Sequence, residues 1–147
     1  MIALLQRVSE AKVVVNNKNI GEIQQGILVF VGIEKTDRED YIPRLVEKVL
    51  LYRIFSDSDD KMNLSVQDIH GGILLVPQFT LAADTQKGCR PSFSSAAPPE
   101  EGQRLFNEFV VQVKNKYQKV ETGEFGADMK ISLLNDGPVT FWLQVNK

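Results

Sequence analysis

Cysteine and histidine occur only once each, as Cys89 and His70, in a chain of 147 residues. One cysteine excludes an internal disulfide framework and fits a reducing compartment, so the expected location is the cytoplasm. Zinc sites draw on several His and Cys ligands, and one of each is too few. No metal and no cofactor is therefore expected. A lone histidine also narrows nucleophilic catalysis, since Ser, Thr or Cys needs an activating base within hydrogen-bond reach. Long apolar runs are missing too: none approaches the ~18 residues that span a bilayer. The start, Met1-Ile-Ala-Leu-Leu-Gln-Arg7, lacks a signal-peptide layout, so no membrane partner is expected. Nor is there an excess of one charge, with 17 Lys and Arg against 19 Asp and Glu and a net charge of −2. That balance excludes broad capture of a nucleic-acid backbone. A nucleic acid would have to be held locally, by one end.

What is present is an ordinary globular composition, 43% hydrophobic and 24% charged, in a length that suits one domain over residues 1–147. The chain is organised around Ile73-Leu-Leu-Val-Pro-Gln-Phe-Thr80. Its apolar run marks a buried strand. Pro77 stops the run, because proline cannot donate a ladder hydrogen bond. Gln78 and Thr80 then set an amide and a hydroxyl just past a rigid strand. A loop of about a dozen residues or more follows, with Gly88 and Pro91, and loops of that length are commonly functional.

Elsewhere, Ile2–Leu5 and Lys12–Val15 read as two β-like pieces, and Asn16-Asn17-Lys18-Asn19 as a turn into a returning strand. Ile27-Leu-Val-Phe-Val-Gly-Ile33 is a strand covered on both faces. Thr36-Asp-Arg-Glu39 has capping-box spacing and predicts a helix with Tyr41, Leu45, Val46, Val49 and Tyr52 at helical intervals and Pro43 tolerated in about its first turn. The acidic Ser56-Asp-Ser-Asp-Asp-Lys61 lacks the glycine and distal glutamate of a calcium loop and reads as a solvated turn. A second helix over about 100–117 buries Leu105, Phe106, Phe109, Val113 and Tyr117. An irregular strand follows at about 119–125, then a half-buried strand with Met129, Ile131 and Leu133 on one face. Asn135-Asp-Gly137 predicts a hairpin turn, with residues 139–145 returning. The sum is an α+β fold: seven or eight mostly antiparallel strands in a sandwich or barrel, with two packed helices.

Thr80, Ser92 and Cys89 are the candidate nucleophiles, but His70 sits beside Gly71-Gly72 in what reads as a surface turn. Arg90 beside Cys89 could favour a thiolate, yet nothing else supports thiol chemistry. Gln78, Thr80 and the amides around Phe79 are donors, suited to stabilising an oxyanion on an already labile ester. Asp136-Gly-Pro-Val-Thr140 is a second candidate, because Gly-Pro in a tight loop presents backbone carbonyls at a fixed angle.

These stretches together resemble the D-aminoacyl-tRNA deacylases. The likeness runs through Ile2-Ala-Leu-Leu-Gln-Arg-Val8, Tyr52-Arg-Ile-Phe-Ser-Asp57, Lys61-Met-Asn-Leu64, Gln78-Phe-Thr-Leu-Ala-Ala-Asp-Thr85, Arg90-Pro-Ser-Phe93, Ala127-Asp-Met129 and Asn135-Asp-Gly-Pro-Val-Thr-Phe-Trp142. The resemblance implies a cytoplasmic, metal-free homodimer without cofactor that acts in translation quality control. Its substrate would be the 3′ end of aminoacyl-tRNA, from which it hydrolyses D-amino acids, and glycine mischarged on alanine tRNA. By resemblance, Gln78, Phe79 and Thr80 line the ester pocket, and Gly137 and Pro138 form a cis pair that filters chirality in the partner's pocket. Phe125 and Met129 are candidates to stack the adenine, with core packing as the alternative. The family's first motif usually begins with serine, where this chain has Pro77, losing a hydroxyl and an N–H. A related animal branch carries Pro-Gln there, then a smaller residue, with altered amino-acid tolerance; Phe79 is retained here.

The mechanism these features imply has amides near Phe79 and Thr80 polarising the ester carbonyl while the vicinal 2′-hydroxyl of the terminal adenosine assists water. The Gly137-Pro138 carbonyls would hold the amino group so that an L side chain collides. The rival is a non-catalytic module that binds a nucleic-acid end on the same fold, which would need no chirality filter.

Overall fold

The computed structural model describes all residues, 1–147. Eight strands and two α-helices follow in the order β1 (Ile2–Val15), β2 (Lys18–Ile23), β3 (Gly26–Gly32), α1 (Ile42–Leu51), β4 (Phe55–Ser56), β5 (Met62–Leu64), β6 (Gly72–Pro77), α2 (Pro99–Lys116), β7 (Val120–Thr122) and β8 (Lys130–Gln144). Short 3₁₀ turns stand at Glu39–Tyr41 and Phe79–Ala82. One six-stranded sheet runs β2-β1-β3-β6-β7, with β8 on the other edge of β1. β3 and β6 pair in parallel, as do β6 and β7, and the remaining pairs are antiparallel. β2 folds back against β6 and β7, leaving the sheet nearly closed into a barrel.

β3 and β6 carry almost no polar residues because both of their faces are covered. Ile27, Val29, Val31, Ile73 and Leu75 face the larger core, which the two helices cover with Leu45, Val49, Leu105, Phe109 and Val113. Leu28, Leu74 and Val76 face a smaller core closed by Val8, Ala11, Val13 and Ile23. Each fully buried side chain of this size contributes ~1.5–3 kcal/mol. β1 serves both cores, with Ala3 and Leu5 in one and Val8, Ala11 and Val13 in the other. It is therefore one continuous strand where two pieces are expected, and its register shifts near Val8 as it crosses between cores.

Two further expectations need correction. Thr36-Asp-Arg-Glu39 does not cap α1, whose N-cap is Tyr41 with no side-chain cap and with proline in the first turn. Asp37 instead accepts from the Glu34 amide at 2.7 Å and from the Met1 ammonium at 2.5 Å. Burial pushes its carboxyl up, against the pull of those donors. The Asn135-Asp-Gly137 signal also makes no hairpin. β8 runs unbroken along β1, and between Gln6 and Val8 the register slips so that residues 136–139 bulge opposite Arg7. A bulge adds residues without reversing the chain, and local turn propensity cannot tell the two apart.

Candidate active site

β6 ends at Pro77, level with Val31 of β3, and the Gln78 amide donates to the Val31 carbonyl at 2.8 Å. The chain then leaves the strand and tightens into the 3₁₀ turn Phe79–Ala82. Inside that turn the Leu81 and Ala83 amides donate to Gln78 and Thr80 carbonyls. The Phe79 and Thr80 amides open the turn, where N–H groups lack an acceptor within it. The Gln78 side-chain amide donates to the Thr80 hydroxyl. Both sit on an outward-facing edge, with Phe79 57% exposed.

The long loop over residues 83–98 is ordered by its own contacts. Asp84 and Ser92 exchange backbone bonds of 2.8 and 3.0 Å. The Ser95 hydroxyl donates to the Ala82 carbonyl at 2.6 Å, and the Ala97 amide returns to Ile33 at 3.0 Å. This folding brings Phe93 of Arg90-Pro-Ser-Phe93 onto Phe79, with ring centroids 5.1 Å apart. Cys89 is exposed in that loop.

Between this turn and α2 lies a cleft of about 250 Å³. Val31, Ile33, Pro77, Gln78 and Phe79 line one side. Ala97, Pro99, Gly102, Phe106, Phe125 and Gly126 line the other. None of these side chains titrates. Gly102 lines the cleft facing Phe125: a β-carbon there would make ordinary contact with that ring, at 3.4 Å, so only a larger side chain would fill the space. An apolar pocket with a few polar groups at its mouth suits a flat, largely apolar group carrying a reactive polar end.

Of the expected site residues, Gln78, Phe79 and Phe125 meet at this cleft, with Thr80 at its rim. Met129 does not line it. Its side chain packs against the smaller core, and its sulfur accepts from the Glu124 amide at 3.4 Å. His70 is exposed at the opposite end of β6, so Thr80 has no histidine base. Asp57 folds its acidic turn around its own carboxylate, accepting from Asp59, Lys61 and Asn63.

Gly137 and Pro138 are joined by a cis peptide bond and lie exposed in the β8 bulge. Arg7 fixes the bulge: its Nε donates to the Asp136 carbonyl at 2.9 Å and its Nη1 to the Ile54 carbonyl at 2.9 Å. Gly137 has φ 130°, and a β-carbon there would stand 2.8 Å from Val139 Cγ2 and 3.0 Å from Arg7 Nη2. Only glycine fits. The bulge is level with Ile27 of β3, whereas the cleft is level with Val31. At ~3.3 Å per residue along the strands and ~4.8 Å between them, the two stretches lie on the order of 20 Å apart measured along the sheet of one chain.

Sequence reasoning missed Arg7, Gly102 and Phe106. An arginine carried within a β-like stretch, Leu5-Gln6-Arg7-Val8, and a glycine inside a helix, which costs ~1 kcal/mol against alanine, were the signals available for the first two. Phe106 carried none, because a stripe residue looks the same whether it faces core or cleft.

A family profile described as D-Tyr-tRNA(Tyr) deacylase matches residues 4–144. The chain is 62% identical to a D-aminoacyl-tRNA deacylase of Saccharophagus degradans, over 97% of this chain and 99% of that one. It is 60% identical to the D-aminoacyl-tRNA deacylase of Photorhabdus laumondii, over 99% and 100%. Among solved structures it resembles the c-Myc DNA Unwinding Element Binding Protein, with TM-score 0.95, 37% identity and full coverage of both chains. A eukaryotic protein described as a probable D-amino acid tRNA deacylase shares the fold, with TM-score 0.87 at 17% identity over 98% of each chain. With its strand-end Gln78-Phe79-Thr80, its Gly137-Pro138 bulge and matches of this extent, the chain belongs to the D-Tyr-tRNA(Tyr) deacylase family.

Proposed function

We propose that this chain hydrolyses the ester between a D-amino acid and the 3′ end of tRNA, as a homodimer whose sites are completed across the subunit boundary. The reading includes a cytoplasmic setting, no metal, and clearance of glycine from mischarged alanine tRNA. The observation that carries it is the separation between the cleft and Gly137-Pro138, on the order of 20 Å within one chain. One chain cannot set both against one ester. A second copy can, because the bulge is exposed and rigidly tied to Arg7.

In this mechanism the adenine enters the apolar cleft beside Phe125, and the ester carbonyl meets the Phe79 and Thr80 amides. Such donors, aimed at the developing oxyanion, are worth ~10²–10³ in rate each. Water attacks the carbonyl carbon, and the vicinal 2′-hydroxyl of the terminal adenosine takes a proton from that water as it passes its own to the 3′ oxygen. The bond between the carbonyl carbon and that oxygen breaks, freeing amino acid and tRNA. Substrate assistance accounts for a cleft with no titratable side chain. Thr80, tied to Gln78, positions rather than attacks. The partner's Gly137 and Pro138 carbonyls hold the amino group, so an L side chain collides while a D side chain points outward. Such exclusion leaves tolerance for many D side chains.

Binding of a nucleic-acid end without hydrolysis is the second reading, favoured by the likeness to the DNA Unwinding Element Binding Protein. Release of labelled D-tyrosine from D-tyrosyl-tRNA by the purified protein separates the two. The shared site is tested by co-expressing Gly102→Leu, which fills the cleft, with Gly137→Ala. Each homodimer should be inactive, and the purified heterodimer should recover about half the wild-type rate, since one of its two composite sites is intact. An inactive heterodimer, or full activity in a species sedimenting as one chain, would overturn the proposal.

A further inference from the structure

We infer that the groove between α2 and β7, ending at Lys114, Lys116 and Lys119, is the track on which the tRNA 3′ strand and first acceptor-stem phosphates lie. This rests on the deacylase reading and extends it from the ester to the rest of the substrate. α2 starts beside the cleft at Pro99, runs down to Lys116, and the chain returns through β7 to Phe125 at the cleft again. Between helix and strand runs a groove lined by Gln103, Asn107 and Val110 on one wall and Thr122, Gly123 and Glu124 on the other. It shares Phe106 and Phe125 with the cleft, so the two adjoin at those rings.

At the foot of α2, beyond Val110 where the groove's lining on the helix ends, Lys114, Lys116 and Lys119 gather with His70 and Tyr117 around a separate hollow that no carboxylate lines. None of the three lysines forms an ion pair. The Lys119 ammonium donates to the His70 carbonyl at 2.7 Å, leaving donors free. Glu124 on the groove wall and Glu121 beside Lys119 confine the positive surface to the foot. From Gly102 to Lys116 the helix rises ~21 Å, the span of a few single-stranded nucleotides. The arrangement fits a tRNA end in order. The terminal base takes the apolar cleft, the next sugars take the amides of Gln103 and Asn107, and the first paired phosphates take the lysines. A chain of net charge −2 can hold RNA only by such local concentration of charge.

The test compares wild type with Lys114→Gln/Lys116→Gln/Lys119→Gln on two substrates, D-tyrosyl-tRNA and the D-tyrosyl ester of a CCA trinucleotide. For tRNA, KM should rise about tenfold or more with kcat unchanged, and the slope of log KM against log salt should fall by about 2–3. The trinucleotide ester, which cannot reach the foot, should be hydrolysed at the wild-type rate. The triple Lys→Arg variant should restore KM for tRNA. An unchanged KM and salt slope, with only a lower melting temperature, would reduce the lysines to a counterweight for the helix dipole and overturn the proposal. Equal loss on both substrates, or no rescue by arginine, would overturn it as well. Wild-type protein inactive on both substrates would sink the deacylase reading itself, a result distinct from failure of the groove.

Discussion

The cleft and the Gly137-Pro138 bulge are built in opposite ways. The cleft is concave and walled by the chain's own elements: a strand end, a 3₁₀ turn, an ordered loop and the first turns of α2. The bulge is convex, stands out from β8 with nothing of its own chain over it, and is fixed from behind by Arg7. One region waits for a guest and the other presents a tool. Under the proposed mechanism, ester recognition and chirality selection fall to separate rigid pieces, so each should be breakable without unfolding the other.

Gly137→Ala should have the largest effect. The new β-carbon would meet Val139 Cγ2 and Arg7 Nη2 inside contact distance at a φ that only glycine adopts freely. Displacing the carbonyl by about 1 Å is enough to cost ~10²-fold. Hydrolysis of D-tyrosyl-tRNA should fall by at least that factor while the circular dichroism spectrum is unchanged. Wild-type rates would make the bulge only a bulge.

Arg7→Lys should come next. Lysine cannot reach the Asp136 and Ile54 carbonyls with a two-pronged donor. Loss of a charge-assisted hydrogen bond is worth ~1.5–3 kcal/mol, or tenfold and more in rate. Measured on matched D and L substrates, the variant should lose rate on D and discriminate less against L, because the filter is loosened and the cleft is untouched.

Thr80→Ala probes the cleft side and should cost about tenfold or less. Loss of a true nucleophile costs on the order of 10⁶-fold. A loss of that order in folded protein would restore Thr80 as the attacking group. The cleft should also lack a pH signature. With no titratable side chain lining it, kcat for D-tyrosyl-tRNA should show no bell between about pH 6 and 8, where an enzyme histidine would reveal itself. Two limbs in that range, where the substrate's own α-amino group can supply only one, would place a protein acid or base in the reaction.

Asp37→Ala should affect activity least and stability most. Met1 and the Asp37 side chain are almost fully buried, and removing the carboxylate leaves an ammonium with the Val145 carbonyl at 2.7 Å and Glu34 at 3.5 Å. Breaking a buried pair costs ~3–5 kcal/mol. Urea unfolding should report that loss while the D-over-L ratio stays at the wild-type value, since neither half of the site is touched.

Much of this was legible in the chain itself. The unbroken apolar runs of β3 and β6 announce strands covered on both faces, and Pro77 announces where the second must end. The stripe Leu105, Phe106, Phe109 and Val113 fixes α2 to within a residue at each end. Gln78-Phe79-Thr80 declares itself because amide and hydroxyl groups follow directly on a buried strand. These are local facts, set by periodicity, proline's missing N–H and side-chain polarity.

Three things were decided only in three dimensions. Asn135-Asp-Gly137 reads as a hairpin, but a continuous partner strand on β1 pulls both sides into one β8, and the turn signal becomes a bulge. The capping-box spacing at Thr36 yields to a buried ammonium that claims Asp37. The cleft's far wall, Gly102, Phe106 and Phe125, comes from a helix and a loop remote in sequence from Gln78. In each case the deciding partner is distant along the chain, and local propensities of a kcal/mol or less give way to the pairing and burial that such partners impose.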